Sequence, residues 1–368
     1  MVEWRQRVRT QRRVSRAQSS AGAVHKLCNR GLSGVWRDVG NGGLVLQSSQ
    51  TVAGADATGA WVGLMFTFSI TETDFTWITV VRDYTAGNAD CVVFEQYFPD
   101  ALVGTAGPST NDVATVFPAL APAAGAQLGF LNYWGNMACQ GGQVVCTDVG
   151  TWTQGVDASM RAGLDGGSPL VLFNESSAAH AIVISPYSNF MASGQVVNNA
   201  SGNLECGIMG GVNAIPAGFR YETLLSYGRG VNAAMRVWGA TLLGRSGKTL
   251  AARDADLVVQ YLGYWTDNGA YYYYMTEPSK TYTETLVDVL GYANAAAIPF
   301  HYMQLDSYWY YRGTPSSLFG GGVKNWTAMQ SVFPNGLADL HNRLRVPLVA
   351  HNRFWSGNCF ALAIIESL

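Results

Sequence analysis

Residues 298–309 read Ile298-Pro-Phe-His-Tyr-Met-Gln-Leu-Asp306-Ser-Tyr-Trp309. An apolar run of strand length follows a proline and breaks off at an acid and a group of aromatic residues. On its N-terminal side, Leu286, Val289, Leu290 and Ala293 fall at i, i+3, i+4, i+7 within residues 283–297, which predicts an amphipathic helix. On its C-terminal side, residues 337–344 read as a helix and 347–350 begin another short strand. Further upstream, residues 248–259 read as a helix feeding a strand at 260–264, and the run 270–275 as strand-like, its tyrosines Tyr271–Tyr274 alternating between faces. Strand, helix, strand, helix, strand is the grammar of parallel βα units. Function in such units gathers at the carboxyl ends of the strands, on the loops that follow.

Three strand ends carry the chemistry: Tyr264-Trp265-Thr266-Asp267-Asn268, Asp306 through Tyr311, and His351-Asn352-Arg353-Phe354-Trp355. Side by side, they would bring acids, an imidazole, a guanidinium and indoles to one rim. A carboxylate accepts hydrogen bonds from hydroxyls, and an aromatic face covers the C–H face of a sugar ring, so the set suits a neutral polyhydroxylated ligand. The candidate ligand-binding residues are Asp306, Trp309, His351, Arg353, Asp267 and Trp265. Each has a structural alternative. Asp306 can cap a helix or pair with Arg312, Asp267 can serve the Asn268-Gly269 turn, and the two tryptophans can fill the core. His301, at the start of an apolar strand, is expected to be a hydrogen-bonded core residue.

Before this region, residues 31–240 consist of short apolar or alternating runs rich in Val, Ile, Phe, Thr, Tyr and Trp, bounded by Gly, Asn, Asp and Pro. Residues 61–70, 76–81, 91–98, 129–133, 169–173 and 181–184 are the clearest. Such a pattern predicts an antiparallel β-sandwich. The expected order is therefore a leader (1–30), a β-sandwich domain (31–240), a linker helix (241–258) and a βα domain (259–368). The leader holds eight basic residues against one acid, while the remainder carries a net charge of −9. A basic, acid-poor leader permits an organelle, and the sequons at Asn174, Asn199 and Asn325 permit secretion. An acidic body predicts no nucleic-acid partner, and no apolar run of membrane-spanning length predicts no membrane span.

With charged residues at 13% and aromatic ones at 12%, the working surface should be aromatic and neutral rather than ionic. Of six cysteines, none forms a C-x-x-C pair or lies at metal-ligand spacing from a histidine, so no zinc site or other metal is expected. Cys139 and Cys146 allow a small disulfide loop in an oxidising compartment, and otherwise stay free thiols. No G-x-G-x-x-G or G-x-S-x-G occurs, and no G-K-[ST] follows Gly320–Gly322, which excludes the common nucleotide-binding and serine-hydrolase signatures.

The progression Ile298-Pro … Leu305-Asp306 … Trp309 … Trp326 … Phe333-Pro-Asn-Gly-Leu337 … Pro347-Leu-Val-Ala-His351 resembles the retaining α-glycosidase clan with (β/α)8 barrels. The likeness is to the α-galactosidase and raffinose-synthase group and its α-glucosidase relatives. The resemblance implies a β-sandwich followed by a TIM-type barrel, retaining chemistry at α-linked glycosides and no cofactor, since the reaction needs only carboxyl groups. It also implies that Asp306, on the second barrel strand, holds sugar hydroxyls. Many α-galactosidase-like members carry two adjacent acids there; here Ser307 stands second. The family's nucleophile and acid/base lie on the fourth and sixth strands. Residues 259–368 accommodate about three βα units where a whole barrel needs roughly 250 residues. The expectation is thus an incomplete barrel, truncated and inactive alone, with no catalytic residue in the chain. The alternative is a non-catalytic carbohydrate-binding or structural β-sandwich protein with a vestigial barrel.

Overall fold

The computed structural model describes residues 26–29, 35–85, 89–107, 112–122, 127–133, 147–152, 169–174, 179–198, 200–266, 272, 274–313, 321–353 and 355–356. The chain is mostly sheet with few helices and divides into two compact units between Gly247 and Lys248. Residues 1–25 and 30 of the leader, Asp267, Asn268 and the Cys139–Cys146 pair expected to allow a disulfide lie outside the described residues, while Lys26–Asn29, counted with the leader, forms a strand paired antiparallel with Val35–Asp38.

The first unit is organised by a nine-stranded antiparallel sheet. Its strands in chain order are β1 (Leu44–Asp56), β2 (Gly59–Ile70), β3 (Thr76–Asp83), β4 (Cys91–Phe98), β5 (Leu128–Tyr133), β6 (Thr147–Trp152), β7 (Leu170–Asn174), β8 (Ala181–Pro186) and β9 (Phe219–Gly228). They lie in the order β6-β5-β7-β8-β9-β4-β3-β2-β1. One face packs Phe68, Trp77, Phe94, Phe98 and Tyr221 against Phe117, Ile208 and Ile215, which belong to or adjoin smaller sheets. On the opposite face, Tyr84, Cys91, Val93 and Leu224 pack with Trp238 and Leu242 of helix α1 (Val231–Arg245). Covered on both sides, the interior strand β4 reads as the unbroken apolar run Cys91-Val-Val-Phe94 rather than as an alternation. Helix α1 approaches β9 so closely that a Cβ on Gly228 would sit 2.2 Å from the Ala234 amide nitrogen, and only glycine fits there.

In the second unit, short helices α2 (Leu250–Asp254) and α3 (Leu257–Gln260) precede β10 (Gly263–Trp265), α4 (Tyr282–Ala295) and β11 (Tyr302–Leu305). A hairpin, β12 (Tyr310–Arg312) and β13 (Val323–Ala328), follows; then come α5 (Gly336–Leu344) and β14 (Leu348–Ala350). Strands β10, β11 and β14 form a parallel sheet in that order, with β11 central. Met303 and Leu305 of β11 are buried with Leu286 and Leu290 of α4 and Leu340 and Leu344 of α5. Helix α4 begins in a capping box: Thr281 Oγ1 accepts from the Glu284 amide (3.2 Å), and the Glu284 carboxylate accepts from the Thr281 amide (2.8 Å).

The linker region differs from the sequence expectation. In place of one helix over 241–258 there is α1, starting ten residues earlier at Val231, then a break at Gly247 (φ 63°) and the two short helices. Helix α1 begins on Gly230 without a side-chain cap, so the usual N-terminal signal is absent from the sequence. The described residues of the strand expected over 270–275 are not in a strand: Tyr272 and Tyr274 have positive φ (66° and 55°), which a strand does not allow. His301 is exposed rather than in the core, its ring 4.3 Å from that of Tyr261.

Candidate functional site

The three parallel strands end together. Leu305 of β11 is the register partner of Ala350 of β14, so Asp306 and His351 occupy the next position on neighbouring strands. The His351 amide donates to the Leu305 carbonyl (3.0 Å), continuing the ladder one step beyond the strands. On the other side, Trp265 of β10 pairs with Gln304, and the Thr266 amide donates to the Gln304 carbonyl (3.2 Å). Ends of all three strands thus meet, and Asp306, His351 and Trp265 stand on one edge of the sheet. Asp267, the sixth candidate, lies outside the described residues.

Asp306 is only 4% exposed. Its Oδ1 accepts from the Ser307 amide, and its own amide donates to Thr266 Oγ1 (3.3 Å). Neither an ion pair nor a hydrogen bond to its Oδ2 exists among the described residues. Arg312, the pairing partner that the sequence allowed, instead lies over the ring of Tyr274 at 5.2 Å. A carboxylate largely withdrawn from water without a cation is costly unless other donors reach it. Beside it, Tyr274 and Ser307 share a hydroxyl hydrogen bond (2.5 Å), and Thr266 Oγ1 lies 3.0 Å from the Tyr308 hydroxyl. Tyr308 stacks on Tyr282 of α4, centroids 4.8 Å apart, and burial raises its phenol above the ordinary range.

The third strand end is held by aromatic donors. Trp309 Nε1 and Trp326 Nε1 both donate to the His351 carbonyl, at 3.3 and 3.0 Å. The Tyr310 ring lies nearly parallel to the imidazole (4°), with its hydroxyl 3.2 Å from His351 Nδ1. Burial pushes the Tyr310 phenol up to about 12, against the pull of Arg353, which also hydrogen-bonds it. With the guanidinium donating to the phenol oxygen, the phenol proton is directed to Nδ1, which leaves Nε2 to carry the imidazole proton. Arg353, Tyr310 and His351 form one relay of donors.

Trp309 is 2% exposed and belongs to the core of the second unit, so it supports the rim from behind rather than presenting a face to solvent. Trp265 (47% exposed) does present one, as do Trp326 and Trp355. Thr266, Ser307, Tyr308 and Tyr310, which the strand-end runs contain, Trp326, which the motif contains, and Tyr274 are not among the candidate ligand residues, because their roles depend on tertiary contacts across the strand ends. The only advance signal is their clustering within a few residues of Asp306 and Trp265. A cavity of about 550 Å³ lies along the β12–β13 hairpin rather than over Asp306, with Tyr311, Asn325, Thr327 and Gln330 in its wall. Among the described residues, no group of acids, histidines and cysteines is arranged to hold a metal ion.

No family model and no curated protein matches the sequence. Solved structures do match. The GH36 α-galactosidase AgaA from Geobacillus stearothermophilus superposes with a TM-score of 0.54 at 15% identity, over 94% of this chain and 48% of that one. The fold is GH36-like. AgaB from the same organism gives 0.54 at 12% identity, over 94% of this chain and 47% of its own. An AgaA variant in complex with raffinose gives 0.54 at 14% identity, over 94% and 48%. The chain spans about half the length of each. At such identities the likeness is one of fold, and it agrees with the resemblance carried by the 298–351 motif.

Proposed function

We propose that this chain belongs to a glycoside-hydrolase-like protein acting on α-linked glycosides such as α-galactosides, and that its parallel strand ends hold the sugar. In this reading the antiparallel unit is the β-sandwich that precedes the barrel, and β10, β11 and β14 are the opening strands of a (β/α)8 barrel. The observation that carries the proposal is the state of Asp306. It is a buried carboxylate at the end of the central strand, and no described cation neutralises it. Sugar hydroxyls would satisfy its Oδ2, as charge-assisted hydrogen bonds.

His351 Nε2–H and the Arg353 guanidinium would supply donors to further hydroxyls from the neighbouring strand, while Trp265 offers a ring face to the C–H surface of the sugar. Trp309 would position the His351 loop through its indole. No cofactor enters. A retaining reaction needs two carboxyl groups about 5–5.5 Å apart. Asp306 is assigned to binding, so it is neither of them. Raffinose, found with AgaA, is a reasonable first probe.

The test is Asp306→Asn, read by calorimetric titration with raffinose and by thermal melting. Removing a buried unpaired charge should leave the melting temperature unchanged or raise it, while sugar affinity falls at least tenfold, because a charged acceptor is worth about 1.5–3 kcal/mol. Unchanged affinity would remove Asp306 from the site. A lower melting temperature would show the carboxylate to be a structural group.

A further inference from the structure

The hairpin β12–β13 is irregular in a way that matters. Tyr310 pairs with Ala328, Tyr311 with Asn325 and Arg312 with Val323, with a register shift at each step. Lys324, Trp326 and Thr327 are therefore extra residues on β13. Bulges of this kind re-aim side chains and are common next to functional sites. Here they send the Trp326 indole to the His351 carbonyl (3.0 Å), while Asn325 and Thr327 line the cavity on the hairpin.

That cavity, at about 550 Å³, is within the size range of small-molecule sites. Its polar groups are two carboxamides (Asn325, Gln330), two hydroxyls (Thr327, Tyr311) and the Lys324 ammonium; among the described residues, no carboxylate lines it. Tyr311, 40% exposed, contributes a ring, and its hydroxyl accepts from the Gln330 amide (3.4 Å). Phe333 and Pro334 complete an apolar portion of the wall. Carboxamides both donate and accept, so they match hydroxyl groups, which do the same. An aromatic ring beside them matches the C–H face of a pyranose.

We infer that this cavity is a second saccharide subsite, taking a further unit of a neutral oligosaccharide, with Trp326 linking its wall to the His351 loop. The inference deepens the function proposed above and rests on it for the class of ligand. Nothing in the strand-end geometry requires it; it stands on the bulged hairpin and on what lines the cavity.

The experiment follows the side-chain amide signals of Asn325 and Gln330 by ¹H–¹⁵N NMR in the full chain, adding galactose, stachyose or inorganic phosphate. Stachyose should shift both signals. Tyr311→Ser, at an exposed position, should weaken stachyose about tenfold, as expected for loss of a stacked ring, and leave galactose binding unchanged. Silence of the two amides towards stachyose overturns the inference, as does a response to phosphate alone, which would make the cavity an anion site. Asp306→Ala separates the two proposals. If stachyose still shifts the hairpin amides in that variant, the subsite stands by itself. If galactose binds the variant as well as it binds the unaltered chain, the strand-end reading fails whatever the hairpin does.

Discussion

Three side chains at the end of β14 and β11 form a relay whose direction is fixed by chemistry. Arg353 can only donate, so the Tyr310 phenol oxygen accepts from it and passes its own proton towards His351 Nδ1. The phenol must stay protonated for this to hold, and burial, which raises its pKa to about 12, keeps it so at any physiological pH. Tyr310→Phe should preserve the ring stack yet release the imidazole to either tautomer. Loss of one such hydrogen bond corresponds to about 1 kcal/mol, so sugar affinity should fall several-fold. The ¹⁵N shifts of His351 should move from a single tautomer towards a mixture. The same residue has an alkaline signature. A phenol whose folded pKa exceeds its unfolded value near 10 contributes stability below that value and loses it as pH rises towards about 12. The substitution should therefore flatten the decline of the melting temperature between those limits. An unaltered alkaline profile together with unaltered histidine shifts would mean that the relay has no functional content.

At the scale of elements, the site depends on how firmly α4 backs β11. Leu286 and Leu290 of α4 pack on Met303 and Leu305, the strand residues immediately before Asp306. The capping box at Thr281 satisfies donors at the start of that helix, and Thr281→Ala should cost about 1 kcal/mol, measured by urea denaturation. Exchange protection should fall first in the opening turn of α4. This helix was legible in the sequence because its apolar residues recur at helical spacing, and β4 was legible because it is a dense apolar run. Strand β1 was not: most of its thirteen residues are exposed, and Ser48-Ser-Gln-Thr51 shows no alternation when neither face is buried. Helix α1 was hidden by its glycine N-cap, and the bend at Tyr272 and Tyr274 by a tyrosine run with strand propensity. The convergence of Asp306 and His351 on adjacent strand ends followed from the βα grammar. Burial of Trp309 did not, because an indole beside an acid reads the same whether it faces ligand or core.

Over the whole molecule charge is scarce, at 13% of residues, yet six charged residues of the first unit are joined in one network. Glu95 of β4 and Glu222 of β9 are direct cross-strand partners, a pairing that repels unless cations intervene. Arg82 of β3 bonds both, and it reaches Asp56 at 3.0 Å as well. Arg220 holds Glu95 from one side and Arg245 of α1 holds Glu222 from the other (2.5 Å). The network joins β1, β3, β4, β9 and α1 across the face of the sheet. Burial works to raise the pKa of Asp56, but the Tyr84 hydroxyl (2.5 Å), the Thr58 amide and Arg82 outweigh it, so its carboxyl is held below the usual range. A depressed carboxylate contributes stability above its unfolded pKa and loses it as pH falls through the folded one. Asp56→Asn should accordingly melt lower than the unaltered chain at pH 7, with the gap closing as pH drops below about 4. Glu222→Gln should behave more severely at neutral pH, because it leaves Arg82 and Arg245 without a charge that both contact, and breaking such a buried pair typically costs about 3–5 kcal/mol. If the gap for Asp56→Asn stayed constant from pH 7 to pH 3, its contribution would be one of packing, and the charge network would not be what ties these strands together.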